Sequence, residues 1–105
     1  RLRTVDPFDE IAFLTLECER LGAAWAGQYI RKGVESRLHE DLPAELFLFY
    51  RSYRATLRAR LAIAHLFEPR PRTPEKWPRL ARTYLNIAAR DAAKLDALLR
   101  TRRGR

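Results

Sequence analysis

The sequence predicts an all-α fold built from four helices. Apolar residues recur at spacings of three and four through four long stretches, proline or glycine punctuates the joints between them, and no alternating run reads as a strand. With 105 residues, 47% of them hydrophobic, the chain is long enough to bury a core of its own and is read as a single helical domain. No repeat or internal linker divides it.

The first helix is expected over residues 7–21. Asp6 can cap free N–H groups, Pro7 at the first helical position gives up no hydrogen bond, and Gly22 is a natural left-handed stop. Phe8, Ile11, Phe13, Leu14, Leu16 and Leu21 occupy several faces, so this helix must be buried. Yet Asp6, Asp9 and Glu10 crowd the start of this apolar helix, where Asp9 and Glu10 complement its dipole.

A second helix, 23–38, carries Trp25, Ala26, Tyr29, Ile30 and Val34 at helical spacing. Gly27 and Gly33 weaken it by ~1 kcal/mol each relative to alanine. "HEDLPAE" breaks the chain, with Asp41 or Glu40 expected to help start a third helix over 44–67. "EPRPRTPEKW" breaks it again: Pro69, Pro71 and Pro74 forbid continuation, and Thr73 with Pro74 makes a cap and first turn. The fourth helix, 75–100, presents Trp77, Leu80, Ala81, Tyr84, Ala88, Ala92, Leu95 and Leu99 as one apolar stripe and leads into a basic tail at 101–105.

The net charge of +8, from 21 Lys and Arg against 13 acids, favours anionic partners, although much of the excess lies in "RLR", "RPR" and "RTRRGR". The single cysteine, Cys18, excludes an internal disulfide framework and points to a reducing, cytoplasmic setting; its apolar neighbours suggest a buried, inert thiol. No apolar run approaches the ~18 residues of a membrane span and no signal-peptide pattern opens the chain, so a soluble protein is expected. The absence of methionine and the start at Arg1 suggest a fragment or excised domain. His39, His65 and Cys18 lack metal-ligand spacing, and the four glycines form no phosphate-cradling loop.

On the third helix, at about 100° per residue, Leu46, Phe49, Tyr50, Tyr53, Leu57, Leu61 and Ala64 form the expected core face, with a smaller strip of Leu48, Ala55, Ala59, Ala62 and Leu66. Arg51, Arg54 and Arg58, with His65 continuing the line, run between the two strips. They are expected to line a cleft or reach another part of a larger protein, the alternative being that they snorkel to water or pair with Asp9, Glu10, Glu17 or Glu19. Arg60 falls inside the expected core face, where a guanidinium needs a carboxylate, so a buried pair with Asp9 or Glu10 is expected.

"LRTVDPFDEIAFLTLECERLGAAW" and "FYRSYRATLRARLAIAHL" resemble the C-terminal helical part of bacterial aminoglycoside-phosphotransferase-like kinases, in particular an uncharacterised group often fused to a P-loop ATP-binding domain. The resemblance runs from Leu2 to about Leu66. Its most specific pieces are D-P-x-D-E-x-A-F-L at 6–14 and Y-R-x-Y-R-A-x-x-R-A-R at 50–60. It implies that an H-G-D-x-x-x-x-N catalytic loop and a metal-binding aspartate lie outside this chain, that ATP and Mg²⁺ serve the parent alone, and that Asp9 braces the catalytic loop from a buried helix. None of the catalytic constellation of phosphoryl transfer can be assembled within the chain. "HEDL" at 39–42 is no substitute, because Leu46 stands where the loop asparagine would fall and the order of the motifs is reversed.

If this segment forms an acceptor wall, Arg51, Arg54, Arg58 and His65 favour an anionic or sugar-like acceptor over a polycationic antibiotic, because arginine forks suit carboxylate and phosphate. A competing reading is a free-standing basic module that binds nucleic acid or an acidic protein through interleaved Tyr50, Arg51, Tyr53 and Arg54. A third reading is a helical packing or dimerisation unit with no ligand: if the catalytic half is missing, the faces of the first and third helices that it would cover should promote self-association.

Overall fold

The computed structural model describes residues 6–67 and 75–103. Four helices account for nearly all of them: α1 Pro7–Arg20, α2 Ala24–Leu38, α3 Ala44–His65 and α4 Lys76–Arg103. No strand occurs among the described residues. The proposed cap at Thr73 and Pro74 and the prolines at 69 and 71 lie outside them.

α1 starts as its sequence dictates, with the Phe8 N–H donating to Asp6 Oδ1 at 2.9 Å. It ends in a paired turn: Gly22, at φ 84°, lets the Ala23 N–H reach the Cys18 carbonyl (2.8 Å) and its own N–H reach Glu19 (3.0 Å). α2 ends on His39, a non-glycine residue in the left-handed region at φ 54°. The expected capping of α3 by Asp41 or Glu40 is replaced by a different device. Pro43 precedes α3 without a side-chain cap, and Glu35 Oε2 accepts the Leu42 N–H at 2.6 Å, seating the buried Leu42 beneath the loop. Arg31 donates to the Leu42 carbonyl and lies 4.0 Å from the Phe47 ring centre, closing the same corner.

α3 and α4 form an antiparallel hairpin: Glu45 meets Arg102 near one end, Arg51 meets Asp91 further along, and His65 stacks on Trp77 at the other end. Ala55 and Ala59 of α3 pack with Tyr84, Ile87 and Ala88 of α4 and Leu16 of α1 in one core cluster. Ile11, Ala12, Leu42 and Phe47 form a second cluster, bordered by Phe8, Val34, Leu46 and Tyr50.

This packing corrects the expected orientation of α3. Its buried positions are Phe47, Arg51, Ala55, Ala59 and Ala62, so the small-residue strip faces inward. Phe49, Tyr53 and Leu61 of the expected core face are instead 50%, 54% and 55% exposed, and Ala64 is also exposed. Small side chains let the helix axes approach closely, so burial follows alanine here while bulk is left outside. Arg60 lies on that outer side and is exposed, which removes the expected buried pair with Asp9 or Glu10. On α2, Trp25 and Tyr29 likewise point outward; on α4, burial includes Ile87 and Asp91 while Ala92 and Leu99 are exposed. Cys18 is half-buried, less enclosed than its neighbours suggest.

Gly27 has a packing role that its helix propensity hides. A Cβ there would stand 2.9 Å from Thr15 Cα, a backbone atom of α1, whereas one on Gly33 would meet nothing within 4 Å. The two alanine substitutions therefore carry opposite signs. Gly33→Ala should stabilise by ~1 kcal/mol through helix propensity. Gly27→Ala should destabilise by ~1–3 kcal/mol as the two helices are forced apart. Urea unfolding followed by circular dichroism checks both, and equal shifts for the two variants would contradict the close α1–α2 crossing.

Candidate functional site

Arg51 leaves α3 toward the junction of three helices and is 5% exposed. Its Nε donates to Asp91 Oδ2 of α4 at 2.8 Å, its Nη1 to Thr15 Oγ1 of α1 at 3.1 Å, and its Nη2 to Glu19 Oε1. The Thr15 hydroxyl can accept from Arg51 because its own proton goes to the Ala12 carbonyl (2.8 Å). Arg90 of α4 completes the cluster by donating to both Glu19 oxygens and to Asp91 Oδ1. Each helix contributes a group that the others need. With Asp91 only 1% exposed, neither member of the central pair could stand alone in the interior.

The bonds from Arg90 and Arg51 hold the Glu19 carboxylate well below its usual range, from 4.5 to about 2, against the opposing effect of burial. The Arg90 guanidinium is correspondingly raised, first by its bond to Glu19.

A second cluster fixes the start of α1. Arg54 grips Asp9 with two bonds, Nε to Oδ1 at 3.0 Å and Nη2 to Oδ2 at 2.7 Å, the bidentate geometry that suits a planar guanidinium. The bond to Asp9 raises the Arg54 guanidinium. Beside it the Tyr50 hydroxyl donates to Asp6 Oδ2, which pushes the phenol up. Asp6 thus caps α1 with one oxygen and ties α3 with the other, Asp9 anchors Arg54, and Glu10 remains exposed. Further along, Tyr84 donates to Glu17 Oε2 at 2.5 Å, and Arg20 holds Oε1 of the same carboxylate at 2.8 Å. Burial, then the bond to Glu17, raises the Tyr84 phenol.

The arginine line of α3 therefore divides. Arg51 does not line a cleft, because its donors are spent inside the helix junction, and Arg54 is committed to Asp9. Pairing with Asp9 and Glu19, the alternative the sequence left open, is what these two side chains do. Arg58 and His65 do border a cavity, with Trp77, Leu80 and Tyr84 across from them. Sequence reasoning missed Asp91, Arg90 and Thr15. A lone carboxylate at 91, between Ile87 and Leu95 on an otherwise apolar stripe, was the available signal that a buried cation faced it. Among the described residues no group of three or more His, Cys, Asp or Glu could hold a metal ion, and no helix is long and apolar enough to cross a membrane.

Two outcomes test the junction. Arg51→Met, which leaves the buried Asp91 with Arg90 as its remaining cation, should cost ~3–5 kcal/mol, and adding Asp91→Leu should recover most of it. Denaturant titrations of the two variants decide, and a mild single variant would show the pair to be dispensable. The lowered Glu19 carboxylate supplies stability that is complete above pH 4.5 and lost as pH falls toward 2. Glu19→Gln should therefore flatten the acid limb of a stability-versus-pH profile in that window; an unaltered limb would place the acid sensitivity elsewhere.

No family model matches the chain, and no solved structure matches it. Its similarity is to uncharacterized proteins: Rv2004c of Mycobacterium tuberculosis strain H37Rv and Mb2027c of Mycobacterium bovis, each 36% identical over 70 residues. The aligned segment is 67% of this chain but 14% of either relative, so the chain corresponds to about a seventh of the proteins it matches.

Proposed function

We propose that the chain is the helical C-lobe part of an ATP-dependent small-molecule phosphotransferase, bracing the catalytic loop and contributing to the acceptor side without being catalytic alone. The observation that carries this reading is the uncovered apolar face of α3, where Phe49, Tyr53 and Leu61 are half or more exposed. Next to it the acidic start of α1 is held rigid by Tyr50 and Arg54. Aromatic surface of this kind beside an immobilised carboxylate suits a face that packs against more protein. The relatives, in which the matched segment accounts for 14% of the length, carry ample chain to cover it.

Asp9 fits the role of brace. A carboxylate offers about four acceptor positions, and Arg54 occupies two of them, leaving the other lone pairs for donors of a catalytic loop laid over the helix start. The acceptor wall in this reading contracts to Arg58 and His65, since Arg51 and Arg54 face acids of α1 and α4. The same commitment weakens the nucleic-acid alternative, which relied on Arg51 and Arg54 as free cations beside the tyrosines. ATP and Mg²⁺ would be held by the remainder of the parent. Without that remainder the bare α3 face favours self-association.

The test begins with the reading frame upstream of Arg1, where an H-G-D-x-x-x-x-N loop followed by an aspartate is expected. The intact protein should then transfer phosphate from MgATP. Asp9→Asn should lower kcat by about tenfold or more through misplacement of the loop, with little change in KM for ATP. An upstream frame without that loop, or an intact protein that does not turn over ATP, would overturn the reading.

A further inference from the structure

The exposed side of α3 is patterned as well as apolar. Phe49, Tyr53, Thr56, Arg60, Ile63 and Ala64 are all exposed, at spacings of four and three residues. At about 100° per residue they form one stripe ~100° wide and ~22 Å long, turned away from the buried Ala55 and Ala59. Such spacing is the one along which a second helix can lie with its side chains interdigitated. Phe49 and Tyr53 already stack, ring centres 6.1 Å apart and planes 10° from parallel, so little order has to be gained when a partner arrives.

Arg60 lies within the stripe, between Thr56 and Ile63, and is its only charged group. It makes no ion pair or hydrogen bond with the described residues. Water satisfies the guanidinium while the face is bare. A cover that buries the flanking rings also takes the guanidinium out of water, and arginine cannot shed its charge, so that cover must bring a carboxylate. α3 offers none, because residues 46–67 contain neither Asp nor Glu. The α1 acids that α3 meets, Asp6 and Asp9, are held by Tyr50 and Arg54. A second copy fits poorly for the same reason: its stripe would present an arginine and no acid, on a chain of net charge +8.

We infer that the stripe receives an acidic amphipathic helix from the parent protein outside these 105 residues, its apolar side chains on Phe49, Tyr53 and Ile63 and an Asp or Glu paired with Arg60. Relatives in which the matched segment is 14% of the length have the chain to supply it. The acid opposite Arg60 rests on the reading that the parent covers this face. The two fail separately, because coverage is read from protection of the rings and the acid from a cross-link.

In the intact parent, Arg60→Lys puts a primary amine on the stripe. A water-soluble carbodiimide joins that amine to a carboxylate in contact with it, forming an amide and releasing a urea. Peptide mapping by mass spectrometry should find one new amide, from position 60 to an Asp or Glu outside the 105 residues, absent from the unsubstituted protein. Arg60→Glu sets like charges face to face, and should raise hydroxyl-radical oxidation of Phe49 and Tyr53 in the parent by about tenfold or more. In the 105-residue chain the same substitution, at an exposed position, should leave oxidation and the unfolding midpoint unchanged. Protected rings with no new amide, or with one to Glu10, would overturn the acidic helix and leave coverage standing. An amide between two copies would overturn it in favour of a dimer, and rings oxidised equally in parent and short chain would overturn both readings. If the Arg60→Glu parent does not fold, the cross-link decides by itself.

Discussion

A guanidinium buried at the meeting point of three helices sets the terms for the rest of this structure. Arg51 carries a charge it cannot lose, so the fold must deliver Asp91 from α4 and Glu19 and Thr15 from α1 to the same place. Those demands fix how α1 lies against the α3–α4 hairpin. They also explain why α3 buries alanines beside that arginine, since Ala55, Ala59 and Ala62 let the neighbouring helices come close enough for the short side chain of Asp91 to reach.

A helix tied at both ends is a stiff element. α1 is held at its start by Asp6 on Tyr50 and Asp9 on Arg54, and at its end by Glu19 on Arg51 and Arg90. Between these ties Leu16 is fully buried, and Thr15 lies against Gly27, where there is no room for a methyl group. The acids crowding the start of α1 thus have physical work before any catalytic loop is considered: one caps and ties, one anchors an arginine. A helix start immobilised in this way is a sound platform for a loop whose position must hold to a fraction of an ångström. Its neighbour, the aromatic outer face of α3, offers the surface on which such a loop's domain could rest.

The helices themselves were legible in the sequence because their boundaries are written in local chemistry. Asp6-Pro7 opens α1, Gly22 closes it, and Pro43 precedes α3, each acting within a turn of its own position. The inward face of α3 was not legible in the same way. Periodicity weighs bulk, so Phe49, Tyr53 and Leu61 outvoted Ala55, Ala59 and Ala62, and Arg60 was carried inward with them. The missing information was the position of Asp91, 40 residues from Arg51 in sequence, and a contact of that range leaves no periodic trace. Gly27 was misread for the same reason: its cost within α2 is local and visible, while the backbone of α1 passing beside it is not. The pairing of Arg54 with Asp9 stood among the alternatives, because opposite charges at conspicuous positions can be listed from sequence even where geometry must choose between them.

The central claim is that the outer face of α3 is an interior surface of a larger protein. Hydroxyl-radical footprinting of the intact parent beside the 105-residue chain at a concentration where it is monomeric measures that directly. Phe49, Tyr53 and Leu61 should be oxidised readily in the short chain and protected in the intact protein, with Trp25 on α2 as a comparison site. Equal oxidation of the three side chains in both would contradict the account, and would leave the α3 face as true solvent-facing surface.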